Sequence, residues 1–158
     1  MRTRRQFPIY FMGCNRSIVM KTDSLQDMVK DYERRTGEKV SFDGFFFDEG
    51  NHFRDNNFQY FNFFPNEGFI FWGINEEHGE RVFSILQTYG NMKVIGKFIV
   101  DVMDKNNLDT IVTATARKSV NGFVKKWDMK RLPAYDYTYY GKDYKVLITN
   151  KESLERTL

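Results

Sequence analysis

Two apolar periodicities follow one another between residues 80 and 129, and their order restricts the fold more than any other property of the chain. Glu80-Arg-Val-Phe-Ser-Ile-Leu-Gln-Thr-Tyr89 reads as a strand and runs into Gly90-Asn-Met-Lys-Val-Ile-Gly96, beyond which apolar residues recur at Ile95, Phe98, Ile99 and Val102. The period changes from two to 3.6, so a strand feeds an amphipathic helix. Asn106 and Asn107 then read as a helix stop, and Leu108-Asp-Thr-Ile-Val-Thr-Ala-Thr115 is rich enough in β-branched residues to predict a buried strand. Residues 117–129 place Val120, Phe123, Val124 and Trp127 on one helical stripe. Strand, helix, strand, helix implies two parallel strands joined by a right-handed crossover. Ala134 to Tyr140, a turn at Gly141-Lys142, and Tyr144 to Thr149 predict a closing hairpin.

The residues before this unit are less regular. Ser17 to Thr22 reads as a first strand, and Thr22, Asp23 or Ser24 can cap a helix with the apolar stripe Leu25, Met28, Val29 and Tyr32. Gly37 suits the left-handed position that closes such a helix. Val40 to Phe47, Phe58 to Phe64 and Phe69 to Gly73 then read as aromatic strands, with Asp48 to Asn57 as a polar connection and Pro65-Asn-Glu-Gly68 as a turn. Phe45 to Phe47, Phe58 to Phe64 and Phe69 to Trp72 are expected to form contiguous sheet around the core. No low-complexity linker divides the chain, and residues 1–158 read as one domain, with 1–16 as a peripheral segment.

A strand that enters a helix through a glycine-containing turn presents unpaired backbone N–H groups at the positive end of a helix dipole, an arrangement suited to phosphate. In this setting the chain resembles the GNAT superfamily of N-acetyltransferases. There a bulged strand leads into a Q/R-x-x-G-x-G/A turn around the pyrophosphate of acetyl-CoA, followed by a helix, a strand, a short helix and a hairpin. The turn here is Asn91-Met92-Lys93-Val94-Ile95-Gly96, of which the last glycine matches. Phe123-Val-Lys-Lys-Trp-Asp-Met129 is similar to the F-Y-x-K-x-G-F segment of the superfamily, with Phe123 and Lys126 in place.

The resemblance implies an α/β fold: a mixed, mostly antiparallel sheet with helices on both faces and a splayed central parallel strand pair. It implies acetyl-CoA as co-substrate and a small-molecule or protein amine as acceptor. The pantetheine arm would lie along Leu86, Gln87 and Thr88, and the phosphates at Asn91 to Gly96, with Lys93, Lys97 and Arg117 in reach as cations. Glu80 lies at a spacing from Gly96 like that of the strand-borne glutamate base in histone-type members, and a carboxylate there could take a proton from an amine. Tyr135, Tyr137 and Tyr139 alternate along the hairpin. Tyr139 is the candidate acid for the departing thiolate, because the usual tyrosine position falls on Val124. Val94 and Asp128 in place of glycines, together with Val124, also suit a second reading, in which the same fold serves as a non-enzymatic binding, structural or accessory protein.

Composition narrows the alternatives. Net charge is +3, which does not suit a dedicated nucleic-acid binder, although Arg2, Arg4 and Arg5 form a short basic start. The 16 phenylalanines imply a core built largely of phenyl rings. One cysteine, Cys14, excludes an intramolecular disulfide and a cysteine-rich metal site, and reads as a small buried hydrophobe. His52 and His78 have no metal-ligand spacing, so no metal is expected. With no apolar run of membrane-spanning length and no signal-like start, a cytoplasmic protein is expected.

Overall fold

A computed structural model describes residues 16–50 and 52–158, with side chains from residue 24 onward. Cys14, Arg2, Arg4 and Arg5 lie outside the described residues. The first element is a helix, α1 (Arg16–Thr36), which includes residues 17–22. The strand expected there is therefore corrected. Ile18 and Val19 favour strand locally, but no glycine or proline interrupts residues 16–36, and the amphipathic stripe from Leu25 onward propagates helix through them. Gly37 closes the helix at φ +75°, with its N–H on the Glu33 carbonyl at 2.8 Å.

Five antiparallel strands follow: β1 (Phe46–Asp48), β2 (His52–Arg54), β3 (Gln59–Phe64), β4 (Gly68–Glu77) and β5 (Glu80–Gly90). β2 lies inside the stretch expected to be a polar connection, and residues 40–45, expected as strand, are irregular. Then come α2 (Met92–Asn106), β6 (Thr110–Thr115), α3 (Asn121–Lys126), β7 (Lys130–Arg131), a single turn of 3₁₀ helix at Pro133–Tyr135, β8 (Tyr137–Tyr139), β9 (Lys142–Asn150) and α4 (Lys151–Thr157). α3 is shorter than the expected helix, and Val124 is exposed rather than on a buried stripe. The main sheet runs β1-β2-β3-β4-β5-β6-β9-β7, with β8 pairing to β9. Within it β5 and β6 are parallel, and the other pairs are antiparallel.

Alternation along β4 sorts the core into two layers. Ile70 and Trp72 face α2 and pack with Phe83, Ile85, Ile95, Ile99, Ile111, Trp127, Leu147 and Leu154. Phe69 and Phe71 face the other way and pack with Leu25 and Tyr32 of α1, Phe45, Phe53 and Phe61. The second layer is nearly all phenyl rings in tilted and edge contacts, such as Phe61 to Phe71 at 4.6 Å and Tyr32 to Phe69 at 5.7 Å. No described helix is long and apolar enough to cross a membrane.

One irregularity in β5 positions everything that follows. Trp72 of β4 pairs with Ile85, but Phe71 pairs with Gln87, so Leu86 is an extra residue. Such a bulge inverts the facing of the strand beyond it. Phe83 and Ile85 look toward α2, whereas Gln87 and Tyr89 turn toward α1. Tyr89 stacks on Phe69, and its hydroxyl donates to Asp31 of α1.

Candidate functional site

β5 and β6 pair only at Phe83 with Ile111, Ser84 with Val112 and Ile85 with Thr113. Past the bulge they part, β5 following β4 and β6 following β9. The cleft between them is divided by Arg117, which comes off the end of β6 and donates from Nη2 to the Thr88 carbonyl at 2.6 Å. On the α2 side lies a cavity of about 110 Å³, with Thr88, Gly90, Met92, Ile95, Phe123 and Trp127 among its walls. On the α1 side a space of only about 10 Å³ remains, between Tyr32, Leu86, Gln87 and Thr115.

The end of the α2-side cavity is the N-terminus of α2. Gly90 adopts φ +115° there, and a Cβ on it would lie 2.1 Å from the Glu67 carbonyl, so the close approach of the two chain segments requires glycine. Asn91 caps the helix: its Oδ1 accepts from the backbone N–H groups of Lys93 at 3.0 Å and Val94 at 3.2 Å, and its Nδ2 donates to Glu67 at 3.0 Å. Two of the amides expected to face a phosphate therefore bond to a side chain of the chain itself. Cations are close by, since Lys93 shares a recess with Lys125 and Lys126 of α3, beside Asn91, Met92 and Leu158. Lys97 stands one turn further along α2 and is exposed.

Gly96 is buried between Leu158 and Trp127. A Cβ there would lie 2.8 Å from Leu158 Cδ2 and 3.0 Å from Trp127 Nε1, so it serves close packing. The Trp127 indole in turn donates to the Met92 carbonyl at 2.9 Å, tying the end of α3 to the start of α2. Val94 is partly exposed, and Ile95 is in the core.

On the α1 side the cleft carries a cluster of phenols around one carboxylate. Tyr32 donates to one oxygen of Glu38, and Tyr144 of β9 donates to the other at 2.6 Å. Tyr137 stacks on Tyr144 with ring centres 5.1 Å apart. Burial raises the pKa of both Tyr32 and Tyr144, and the hydrogen bond to Glu38 raises it further, so each stays a proton donor at neutral pH. The Arg117 guanidinium lies over the Tyr32 ring, 5.4 Å from its centre. Burial lowers the Arg117 pKa, but arginine remains protonated at neutral pH. Gln87 donates to the Lys39 carbonyl at 3.1 Å, which pins the Glu38 segment against the bulge.

The structure thus brings together Leu86, Gln87, Thr88, Asn91, Met92, Lys93, Ile95 and Arg117 around the cleft. It does not bring Glu80 to the same place. Glu80 is exposed at the opposite end of β5, where its carboxylate accepts from Thr110 at 2.7 Å. Eight residues of strand put it about 26 Å along β5 from Thr88. Tyr139 is exposed on the hairpin and meets Tyr140 edge to face at 4.4 Å, while Tyr144, across from Tyr137, bonds to Glu38. Glu38 escaped the sequence reading, because its partners are six and 106 positions away. The available signal was a lone carboxylate directly after the helix-closing Gly37. Among the described residues no group of three or more His, Cys, Asp or Glu could hold a metal ion.

No protein-family model matches the sequence, and no curated protein matches it either. The structure is similar to that of FeeM, an N-acyl amino acid synthase from uncultured soil microbes, at 9% identity and a TM-score of 0.54, over 88% of this chain and 96% of that one. A ribosomal-protein-S5-alanine acetyltransferase from Vibrio fischeri is a looser likeness, at 7% identity and a TM-score of 0.46, over 85% of this chain and 91% of that one. Identities this low speak to fold alone. With its mostly antiparallel sheet, its bulged strand and parting parallel pair, and helices on both faces, the chain has a GNAT-like fold.

Proposed function

We propose that the chain is an acyl-CoA-dependent N-acyltransferase that moves an acetyl group, or a close relative of it, from the thioester to a primary amine. The observation that carries this reading is the parting of β5 and β6 beyond the Leu86 bulge. It opens strand backbone onto a cleft that ends at a helix N-terminus. Arg117 holds the Thr88 carbonyl, so the backbone of Leu86 and Gln87 meets the amides of the pantetheine arm. Lys93, Lys125 and Lys126 supply positive charge to the phosphates, with Lys97 further out. The thioester carbonyl then lies against backbone N–H groups that polarise it, and catalysis rests on positioning and on that polarisation. Glu80 lies outside this cleft and is tested as base by the Glu80→Gln variant, while Tyr139 as acid remains part of this proposal. So does a cytoplasmic location.

A second reading, a non-enzymatic protein on the same fold, is favoured by one observation: Asn91 itself occupies the amides of Lys93 and Val94, and brings the Glu67 carboxylate beside them. Calorimetry with acetyl-CoA separates the two, followed by thiol release with a panel of amines. Saturable heat and amine-dependent release of CoA are expected. No heat at millimolar acetyl-CoA would favour the second reading.

A further inference from the structure

Beside the cleft stand a cation and a carboxylate that, among the described residues, make no ion pair and feel each other only at longer range, across the Tyr32 ring. Among the described residues no carboxylate lies within ion-pair distance of Arg117, and no cation within that distance of Glu38. Both are half-buried, so each has lost part of its hydration and still faces solvent. Arg117 spends one N–H on the Thr88 carbonyl, which fixes the plane of the guanidinium, and a guanidinium has five donors in all. Glu38 accepts from two neutral phenols, which orient its oxygens without adding a cation in contact with it. A single residue links the pair: Arg117 lies on the face of the Tyr32 ring and Glu38 bonds to its hydroxyl.

Partly desolvated charges held apart without a contact ion pair are costly, and a ligand carrying both signs can bridge them. A planar guanidinium matches a carboxylate with two parallel hydrogen bonds. A carboxylate held between two phenols matches an ammonium. Because Gln87 pins residues 38–39 against the bulge, an ammonium on Glu38 would sit beside the strand proposed to carry the thioester.

We propose that the acceptor is a free amino acid, its carboxylate bound by Arg117 and its ammonium by Glu38. It lies on the solvent-facing side of both groups and not in the α1-side space of about 10 Å³, which is too small for it. As a substrate assignment this rests on the transferase reading above, while the binding itself can be measured alone. In the reaction the amine nitrogen forms a bond to the thioester carbonyl carbon and the C–S bond breaks. Of the two protons the ammonium sheds, one passes through Glu38 to solvent and one ends on the departing thiolate.

The test measures binding by calorimetry and ligand-observed NMR, using free amino acids, their α-amides and the corresponding decarboxylated amines. At least one amino acid should bind the wild type about tenfold or more tightly than its amide, the range of a bidentate charged contact. Arg117→Gln should erase that preference, and Arg117→Lys should restore only part of it, since the charge returns without the planar fork. Glu38→Gln should weaken amino acids and amines alike. Near-UV circular dichroism checks each fold, and should Arg117→Gln fail to fold, the other two variants carry the test. Equal binding of amino acid and amide, a preference that survives Arg117→Gln, or no binding of any amino acid would overturn the inference. Amino-acid binding without acyl-CoA binding would keep this site and remove the transferase reading. Transfer to amines lacking a carboxylate, with no preference for amino acids, would do the reverse.

Discussion

If phosphates of a CoA-like ligand sit at the start of α2, then Asn91 competes with them, and removing its side chain should tighten binding. Asn91→Gly deletes the two cap bonds to Lys93 and Val94 and the bond that holds Glu67, but keeps the backbone bond from residue 91 to the Glu67 carbonyl at 2.7 Å. The cost to the fold is small, because glycine replaces asparagine at a helix N-cap for a few tenths of a kcal/mol. The ligand gains what it no longer has to displace, about 1 kcal/mol for a side-chain cap. Releasing the Glu67 carboxylate from the helix end adds about 0.5 kcal/mol, the repulsion between unit charges about 8 Å apart in water. Together these amount to about tenfold in affinity. Isothermal titration with CoA measures it, and acetyl-pantetheine, which lacks the pyrophosphate, should show no gain. Unchanged or weaker CoA binding by a variant of near wild-type stability would refute the reasoning and place the phosphates elsewhere.

Three further outcomes follow from the geometry. Glu80→Gln should leave any acyl transfer within about twofold of wild type, because the carboxylate stands at the far end of β5; a loss of about 10²–10⁴-fold, the contribution of a positioned base, would restore Glu80 to that role. Phe61→Ala, at a fully buried ring touching Phe42, Phe53, Phe69 and Phe71, should cost about 3–5 kcal/mol in denaturant unfolding. Gly96→Ala should destabilise by about 1–3 kcal/mol through overpacking. Part of that should return in a Leu158→Ala background, since Leu158 Cδ2 is the nearest atom to the new methyl group.

The element order from Glu80 onward was readable because each boundary is written locally. Asn107, for example, ends α2 at φ 55°, a conformation asparagine tolerates. The bulge was not readable. Strict alternation puts Phe83, Ile85, Gln87 and Tyr89 on one face, and only the pairing with β4 reveals that Leu86 turns the last two around. The strand read at residues 17–22 failed for the opposite reason, since local β-branched preference yielded to a helix propagating from its neighbours. In the site, Arg117, Asn91 and the Leu86 to Thr88 backbone could be placed from their position between two strands and a helix. Glu38 and Tyr144 could not, because a contact across 106 positions leaves no periodic trace in either segment.

The two tryptophans divide the molecule for spectroscopy. Trp72 is enclosed in a stack, with Phe83 at 5.1 Å and 8° on one side and Tyr60 at 4.4 Å and 24° on the other, far from solvent. Trp127 forms part of the cavity wall, its indole N–H on the Met92 carbonyl at the very start of α2. Emission from Trp127 should therefore respond to an occupant of the cleft, while Trp72 stays silent until the sheet itself comes apart. A Trp127→Phe variant isolates the Trp72 signal and serves as the reference by which a titration and an unfolding curve of the wild type are told apart without an added dye.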